Sequence, residues 1–256
     1  MGQTRSIPDT APQAIRRATP PVTLRATSKL LGRRRGRTGV WPFSFSSIGI
    51  LCFGDMPTEE MPNNRLLLHA CCAPCSIAVI DEMRTVYGLS VLFFNPNIFP
   101  EVEYMKRKAE VVRVCREWAV PMADLDYGSA LWEELVAPVV QEKEGGSRCS
   151  VCFRLRLART ADYARTHGFA RFATSLSMGR RKDSAAINAI GRTVAAQFGL
   201  EFLDTDWKKS GRWETGRRLT EERGIYRQSY CGCRFSFDEM VRRQSGGVSP
   251  AASKAS

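Results

Sequence analysis

Short apolar runs and longer amphipathic segments follow one another along the chain from residue 65 onwards. A short apolar run bounded by turn residues is typical of a buried strand, and apolar residues three and four apart predict a helix. Strands are predicted at 66–69, 90–95, 122–125, 171–175 and 201–203. Helices are predicted at 74–86, 101–118, 130–142, 152–166, 184–198 and 215–223. This alternation predicts an α/β fold, a parallel sheet of about five strands with helices on both faces.

Both ends of the chain differ in composition from this central part. Residues 1–60 are rich in Pro, Thr, Ser and Arg and show no sustained period. They are predicted to be a disordered basic tail, or to precede a translation start at Met56 or Met61. The apolar stretch Val40–Phe53 follows arginines as in an export signal, but it lies far along the chain and lacks a small-residue cleavage site. Residues 241–256 are predicted to be a second disordered tail, which places the folded domain at 61–240.

The charge of the chain indicates a polyanionic partner, although less strongly than its total implies. The 256 residues carry a net charge of +12, of which +7 falls in residues 1–55 and +5 in the remainder. Nucleic acid is the commonest partner of a basic protein. The candidate contacts follow the fourth and fifth strands and are Arg180, Arg181, Lys182, Lys208, Lys209 and Arg212, with Trp207 and Trp213 as stacking residues. No segment approaches the roughly 18 apolar residues of a membrane span, so no membrane partner is expected.

Cysteine is the residue whose spacing says most about the chemistry of this chain. Seven of the nine cysteines form three motifs: CCxxC (Cys71, Cys72 and Cys75), CxxC (Cys149 and Cys152) and CxC (Cys231 and Cys233). Close groups in an ordinary α/β pattern indicate metal or redox chemistry in a reducing compartment, which predicts a cytoplasmic protein. Cys115, on a helix among valines, is predicted to be a packing residue, and Cys52 belongs to the N-terminal tail.

The three motifs occupy positions at which thiolates can bind a metal. The CCxxC motif lies where the first strand meets the first helix, the sheet edge at which ligands usually bind. A helix N-terminus there lowers thiol pKa values. The CxxC motif follows two glycines, and Gly232 lets the two sulfurs of the CxC motif approach for a disulfide or for joint ligation. Seven thiols exceed the four of a structural zinc, which leaves two metal sites, or one four-ligand cluster plus a working thiol pair.

Four segments around these motifs carry a family resemblance. In chain order they are LLLHACCAPCS, FFNPNIFPEVEYMKRKAE, EGGSRCSVCFRLRL and YRQSYCGCRFS, and together they span Leu66 to Ser236. A chain with these segments in this order resembles the cysteine-rich, cobalamin-independent epoxyqueuosine reductase family QueH. The resemblance implies a fold of the adenine-nucleotide α-hydrolase type. It also implies an oxidoreductase that reduces the epoxide of epoxyqueuosine in tRNA to queuosine, the last step of queuosine biosynthesis, with two electrons and two protons.

The resemblance further implies a cofactor, its ligands and the partners. The cofactor would be a [4Fe–4S] cluster, with an additional iron ion as a further candidate. The partners would be an external electron donor and tRNA carrying epoxyqueuosine at the wobble position. Carried over residue by residue, the cluster ligands would be Cys71, Cys72, Cys149 and Cys152, with Cys75 as a further candidate ligand. Cys231 and Cys233 would be the catalytic, redox-active pair, or would bind the second iron.

The chain departs from the family pattern at three places. Phe153 stands where the family usually has a tyrosine after CxxC, so no catalytic proton is assigned there. The segment 175–183 lacks a Ser-Pro before its lysine, and 204–216 differs from the family's acidic, aromatic and basic run, with 206–209 as its equivalent. These differences fall on expected substrate contacts rather than on the expected cluster ligands.

The roles of several supporting residues, and two other functions, stay open at this point. The reduction needs a proton donor, and Tyr104, Tyr230 and Asp206 are chemically able. His69 is either a hydrogen-bond donor to a metal ligand or a structural residue at a strand end. A cluster-dependent tRNA thiolase is one alternative, although CCAPCS stands where that class normally carries an SGGxDS phosphate loop. A non-catalytic zinc-binding RNA module is the other, because the cysteine spacings also tolerate zinc.

Overall fold

In the computed structural model, residues 64–125 and 127–246 are described. The basic segment at 1–60, predicted to be a tail, lies outside the described residues, and so do residues 247–256 of the predicted C-terminal tail.

Within these described ranges, five parallel strands form one sheet in the order β3-β2-β1-β4-β5. The strands are β1 Arg65–His69, β2 Gly88–Phe93, β3 Met122–Asp124, β4 Arg171–Thr174 and β5 Glu201–Phe202. The central strand β1 contributes Leu66, Leu67 and Leu68, which have no exposed surface. Such an unbroken apolar run is expected of a strand that is covered on both faces.

The described residues form seven α-helices, five of which cover the two faces of the sheet. The seven helices are α1 Ala73–Met83, α2 Glu101–Glu117, α3 Ala130–Val136, α4 Ser147–Thr166, α5 Ser184–Phe198, α6 Arg212–Glu222 and α7 Arg234–Gln244. Helices α1, α2 and α6 share one apolar core with Leu66 and Leu68, and α4 and α5 share the opposite core with Leu67. The parallel five-stranded α/β fold expected from the sequence is therefore confirmed. Within the described part of the chain, no helix combines the length and apolarity that a bilayer span needs.

Helices α3 and α4 differ most from their predicted bounds, and α7 was not predicted at all. α3 ends at Val136 and a 3₁₀ turn follows at Ala137–Val139, because Pro138 has no N–H to continue the helix. α4 begins at Ser147, so Cys149 lies in its first turn rather than ahead of the helix. α7 was not predicted and runs past the expected domain boundary at 240; Ser236 is its one buried residue, so its apolar periodicity is weak.

The order of the strands places a crevice at the carboxyl ends of β1 and β4. The chain leaves β1 for β2 and β3 on one side and returns to β4 and β5 on the other, so the order reverses at β1. Ligands of doubly wound sheets bind at such a switch point. Cys71 follows β1 and Ser175 follows β4, and the backbone N–H of Cys71 donates to the Ser175 Oγ at 3.3 Å. The CCxxC motif therefore lies at the switch point of the sheet.

Candidate metal and substrate site

All three cysteine motifs lie at the N-termini of helices. Cys72 is the N-cap of α1, and Cys75 lies in the first turn of that helix. Cys149 lies in the first turn of α4, with Cys152 in the next turn, and Cys233 is the N-cap of α7. A helix N-terminus carries unpaired N–H groups and the positive end of the helix dipole. Each motif is therefore in a position that favours thiolates and an anionic ligand.

The thiols of the CCxxC motif form a triad that can hold a metal. The Sγ atoms of Cys71, Cys72 and Cys75 all lie within 4.8 Å of one another, and those of Cys71 and Cys72 are 3.7 Å apart. A tetrahedral metal with thiolates at about 2.3 Å places two sulfurs roughly 3.8 Å apart. Hydrogen bonds from Cys72 and Cys75 hold the pKa of Cys71 well below its usual value. The hydrogen bond to Cys71 raises the pKa of Cys72 to about 12, so Cys71 is the thiol of this pair that ionises first.

The CxxC and CxC motifs lie close to each other. Burial raises the pKa of Cys152 to about 11, and the charges of Cys231 and Cys233 contribute in the same direction. Lys182 interacts electrostatically with both Cys231 and Cys149. Burial alone would lower the pKa of Lys182, but these thiols raise it above its usual value. The structure thus groups Cys149 and Cys152 with the CxC pair, and all of these thiols are free.

Arg107 on α2 fixes the backbone of the CxC motif. Its guanidinium donates to the carbonyl of Cys231 at 2.9 Å and to that of Tyr230 at 3.2 Å, and it pairs with Glu103 at 2.7 Å. Gly232, between the two cysteines, has a φ of +133°. A Cβ at Gly232 would lie 2.9 Å from a guanidinium nitrogen of Arg107. Only glycine fits this close approach with this backbone conformation.

His69 holds two strand ends together beside the triad. Its Nε2 lies 3.0 Å from the carbonyl of Phe94, which can only accept, so Nε2 carries the proton. Its Nδ1 accepts from the Thr174 hydroxyl at 2.9 Å. Burial, together with the charge of Arg156, lowers the pKa of His69 to about 3. Of its two predicted roles, the structure supports the structural one, because neither ring nitrogen is left for a thiolate.

A cavity of about 560 Å³ opens beside the triad and is strongly basic. The triad and Cys231 line it together with the basic residues Arg107, Arg156, Arg180, Arg181, Lys182, Arg217, Arg227 and Arg243. Its acidic lining residues are Glu144 and Glu239. Arg180 and Arg227 are exposed and form no ion pair with any described residue. These two side chains are therefore able to bind an external anion.

Of the two basic stretches predicted to contact tRNA, the structure places only one at the cavity. The stretch 180–182 lines the cavity, whereas Lys208, Lys209 and Arg212 do not. Lys208 donates to a backbone carbonyl at 2.7 Å, and Arg212 binds Glu82 at 2.5 Å. The second stretch is thus largely engaged in internal contacts, and only the first remains a candidate contact for tRNA.

The structure places some of the candidate proton donors, and one of the two tryptophans, at the cavity and the others away from it. Tyr104 is 2% exposed in the core and donates to Asp124 at 3.1 Å. Asp206 and the buried Trp207 lie outside the cavity lining. Tyr230 and Trp213 line the cavity. Tyr230 is therefore the one candidate proton donor at the cavity wall, where its hydroxyl donates to the carbonyl of Phe99, and Trp213 is the candidate stacking residue there.

Comparison with known protein families identifies the family of the chain that carries this cysteine-lined cavity. Residues 66–239 match the family model described as epoxyqueuosine reductase QueH. The chain belongs to the QueH family. Proteins named epoxyqueuosine reductase QueH from Histophilus somni, Haemophilus influenzae and Thermotoga maritima are each 36% identical to it. The matches cover 75%, 69% and 70% of this chain and 81%, 74% and 94% of those proteins, respectively.

Two solved structures resemble this QueH chain at much lower sequence identity. A U34-tRNA thiolase, NcsA from Methanococcus maripaludis with its [4Fe–4S] cluster, is 11% identical, with a TM-score of 0.32, over 73% of this chain and 74% of the thiolase. An NH₃-dependent NAD synthetase from Campylobacter jejuni is 10% identical, with a TM-score of 0.33, over 72% of this chain and 87% of the synthetase.

Three residues at the QueH site were not found from the sequence. Arg107, Arg156 and Gln228 were not singled out in the sequence, although the Nε2 of Gln228 lies 2.9 Å from the Sγ of Cys72. A signal for Arg156 was present, because it follows Cys152 by one helical turn and shares its face. Arg107 and Gln228 reach the cysteines from distant segments, and spacing along the chain does not reveal such contacts.

Proposed function

We propose that this chain reduces the epoxide of epoxyqueuosine, at the wobble position of tRNA, to queuosine in the cytoplasm. Its membership of the QueH family over residues 66–239 carries this proposal, because the match includes all three cysteine motifs. The reaction removes the epoxide oxygen as water and consumes two electrons and two protons. The electrons would come from an external donor.

The proposed cofactor is a [4Fe–4S] cluster held by Cys71, Cys72, Cys149 and Cys152, with an additional iron ion as a second group. Cys75 joins the proposed ligands because its Sγ lies in the triad. Arg156 interacts electrostatically with both Cys71 and Cys152, which supports ligands from two motifs around one group. When bound, the iron groups would supply single electrons and a Lewis acid for the epoxide oxygen. Thiols at helix N-termini suit an anionic cluster, so the donor set fits it.

The described side chains would bind and orient the tRNA. A volume of about 560 Å³ is in the range of pockets that enclose a small ligand, and here it would admit a modified base turned out of the anticodon loop. Trp213 would stack on a base, and Arg180 and Arg227 would bind phosphates. Lys182, which interacts with Cys231, and Tyr230 would hold protons at the cavity wall. Cys231 and Cys233 are proposed to act next to the epoxide.

The test uses protein purified anaerobically and tRNA that carries epoxyqueuosine, with dithionite as the chemical reductant. Wild-type protein should contain iron and acid-labile sulfide, absorb in the visible range, and convert the nucleoside to a product lighter by one oxygen in mass spectrometry. Cys71→Ala and Cys149→Ala should lose iron and activity together. Cys231→Ala and Cys233→Ala should lose activity, and Cys115→Ala should change neither property, because Cys115 is 2% exposed in the core.

Three outcomes would contradict the proposal. A colourless protein that binds zinc and does not turn over would favour the RNA module. Consumption of ATP with sulfur transfer to tRNA would favour the thiolase. Full iron content and full turnover in Cys71→Ala or Cys149→Ala would refute the ligand assignment while leaving the activity in place.

A further inference from the structure

Arg156 is a buried cation without a carboxylate partner. Its relative exposure is 4%, and no ion pair joins it to any residue in the described ranges. Arg107 lies in the same cavity wall and is 2% exposed, but its charge is neutralised by Glu103, whose carboxylate lies 2.7 Å from the guanidinium. Buried charges in proteins are normally paired or placed against a metal group. The charge of Arg156 therefore requires an anionic partner, and none of the described carboxylates provides one.

The guanidinium of Arg156 is held in a fixed orientation. One terminal nitrogen donates to Asn95 Oδ1, and the Nδ2 of Asn95 donates to the carbonyl of Ala70 at 3.0 Å. The Nε of Arg156 is buried and has no hydrogen-bond acceptor among the described residues. A fixed cation with a spare donor is suited to a partner that occupies a defined place.

The surroundings of Arg156 identify the side on which that partner lies. Arg156 follows Cys152 by one turn of α4, and its charge acts on Cys152, on Cys71 and on His69. It also lines the cavity beside the triad. Its thiol neighbours therefore come from two motifs, and both neighbours are among the proposed cluster ligands.

A tRNA phosphate is a poorer partner for Arg156 than a thiolate-bound cluster. Phosphates stay hydrated at the surface, where the exposed Arg180 and Arg227 reach them. A thiolate-bound iron–sulfur cluster is anionic, is buried at its ligands, and becomes more negative when it is reduced. A cation fixed beside it in a medium of low dielectric stabilises the reduced form more than the oxidised form.

We propose that Arg156 is the counter-charge of the cysteine-bound iron–sulfur group and raises its reduction potential. This inference rests on the proposed function, since it requires the cluster to be present. It assigns to Arg156 a role in setting how readily the group accepts an electron from the external donor, separate from binding of tRNA.

The test is a potentiometric titration of the anaerobically purified holoenzyme, followed by visible absorption and electron paramagnetic resonance. Arg156→Gln keeps a donor for Asn95 and removes the charge, so the midpoint potential should become more negative. Arg156→Lys keeps the charge and should restore most of the shift. Arg159→Gln is the matched control on the same helix, because Arg159 pairs with Asp162 at 2.5 Å, and its potential should equal that of the wild type.

The outcomes separate this inference from the proposed function. An unchanged potential in Arg156→Gln, or an equal shift in Arg156→Gln and Arg156→Lys, overturns the counter-charge while a wild-type cluster and turnover leave the function standing. A wild-type protein without iron and sulfide overturns the proposed function. If Arg156→Gln folds but loses its iron, retention of iron by Arg156→Lys supports the inference, and equal loss in both overturns it. Arg156→Met replaces the Gln variant if the latter does not fold.

Discussion

Replacing Arg107 by methionine tests whether a buried ion pair holds the CxC motif in place. The pair of Arg107 and Glu103 joins two positions of α2 at 2.7 Å, with side-chain exposures of 2% and 8%. The second carboxylate oxygen of Glu103 accepts from the Tyr226 hydroxyl at 2.8 Å. Arg107→Met removes the cation and the two hydrogen bonds to the carbonyls of Tyr230 and Cys231. It leaves Glu103 as a buried carboxylate without its cation.

The expected cost follows from that uncompensated charge. Removing one partner of a buried pair costs about 3–5 kcal/mol, whereas an exposed pair contributes roughly 0–1 kcal/mol. For a domain of this size, each kcal/mol lowers the melting temperature by about 2–4 °C. Arg107→Met should therefore lower it by about 6–20 °C. Because the CxC backbone also loses its donor, turnover should fall further than the lower stability explains at assay temperature.

The assay is thermal unfolding followed by circular dichroism under anaerobic conditions, with turnover measured below the transition. Arg113→Met is the matched control on the same helix. Arg113 pairs with Glu110 at 2.6 Å with 46% of its own side chain exposed, so its loss should lower the melting temperature by only about 0–4 °C. Equal shifts in the two variants would refute the reasoning, because burial of the pair would then have no measurable consequence.

Two other predictions concern the cavity rim and the core. The double variant Arg180→Ala/Arg227→Ala should reduce the slope of log K for tRNA binding against log salt by roughly 1.5, because each arginine would release about one counterion. Lys209→Ala, outside the cavity lining, should leave the slope unchanged, and an equal change there would move the tRNA surface elsewhere. Burial raises the pKa of Cys115 to about 12, so below that pH its thiol stays protonated and enclosed in the folded state. Mass spectrometry after iodoacetamide treatment of native, chelator-treated protein at mildly alkaline pH should find Cys231 labelled and Cys115 unlabelled; rapid labelling of Cys115 would show that the core around it opens.

The fold was accessible from the sequence because the signals that define it are local. The run Leu66–Leu68 marks a strand buried on both faces, and the helix predicted at 184–198 has its observed bounds because Asp183 caps it and Gly199 ends it. α7 was missed because its packing depends on Phe235, whose ring lies 6.1 Å from that of Trp132 on a distant helix. Contacts of this kind leave no period in the sequence.

The cysteines of the site were accessible for the same reason, but their grouping was not. Spacing alone leaves the CCxxC motif as three equivalent thiols, whereas the structure distinguishes Cys71 as the thiol whose pKa is lowered and places Cys75 in the triad. From the sequence alone, the basic stretch 180–182 and the basic residues at 208–212 were equally good candidates for contacts with tRNA. Only the fold shows that Arg212 is committed to Glu82 while Arg180 faces the cavity.

The placement of the triad supports a catalytic role for the proposed iron centre rather than a purely structural one. A structural zinc site is closed by four protein ligands, whereas a catalytic metal keeps a position open for substrate. The thiols of Cys71, Cys72 and Cys75 are placed so that they could hold a metal, and all three residues line a cavity of about 560 Å³ that is open to a substrate. Of the two buried arginines in the cavity lining, Arg107 is neutralised by Glu103, whereas Arg156 has no carboxylate partner among the described residues. A site built only to hold its shape gains nothing from a buried charge left without a carboxylate, whereas a site that takes up electrons does.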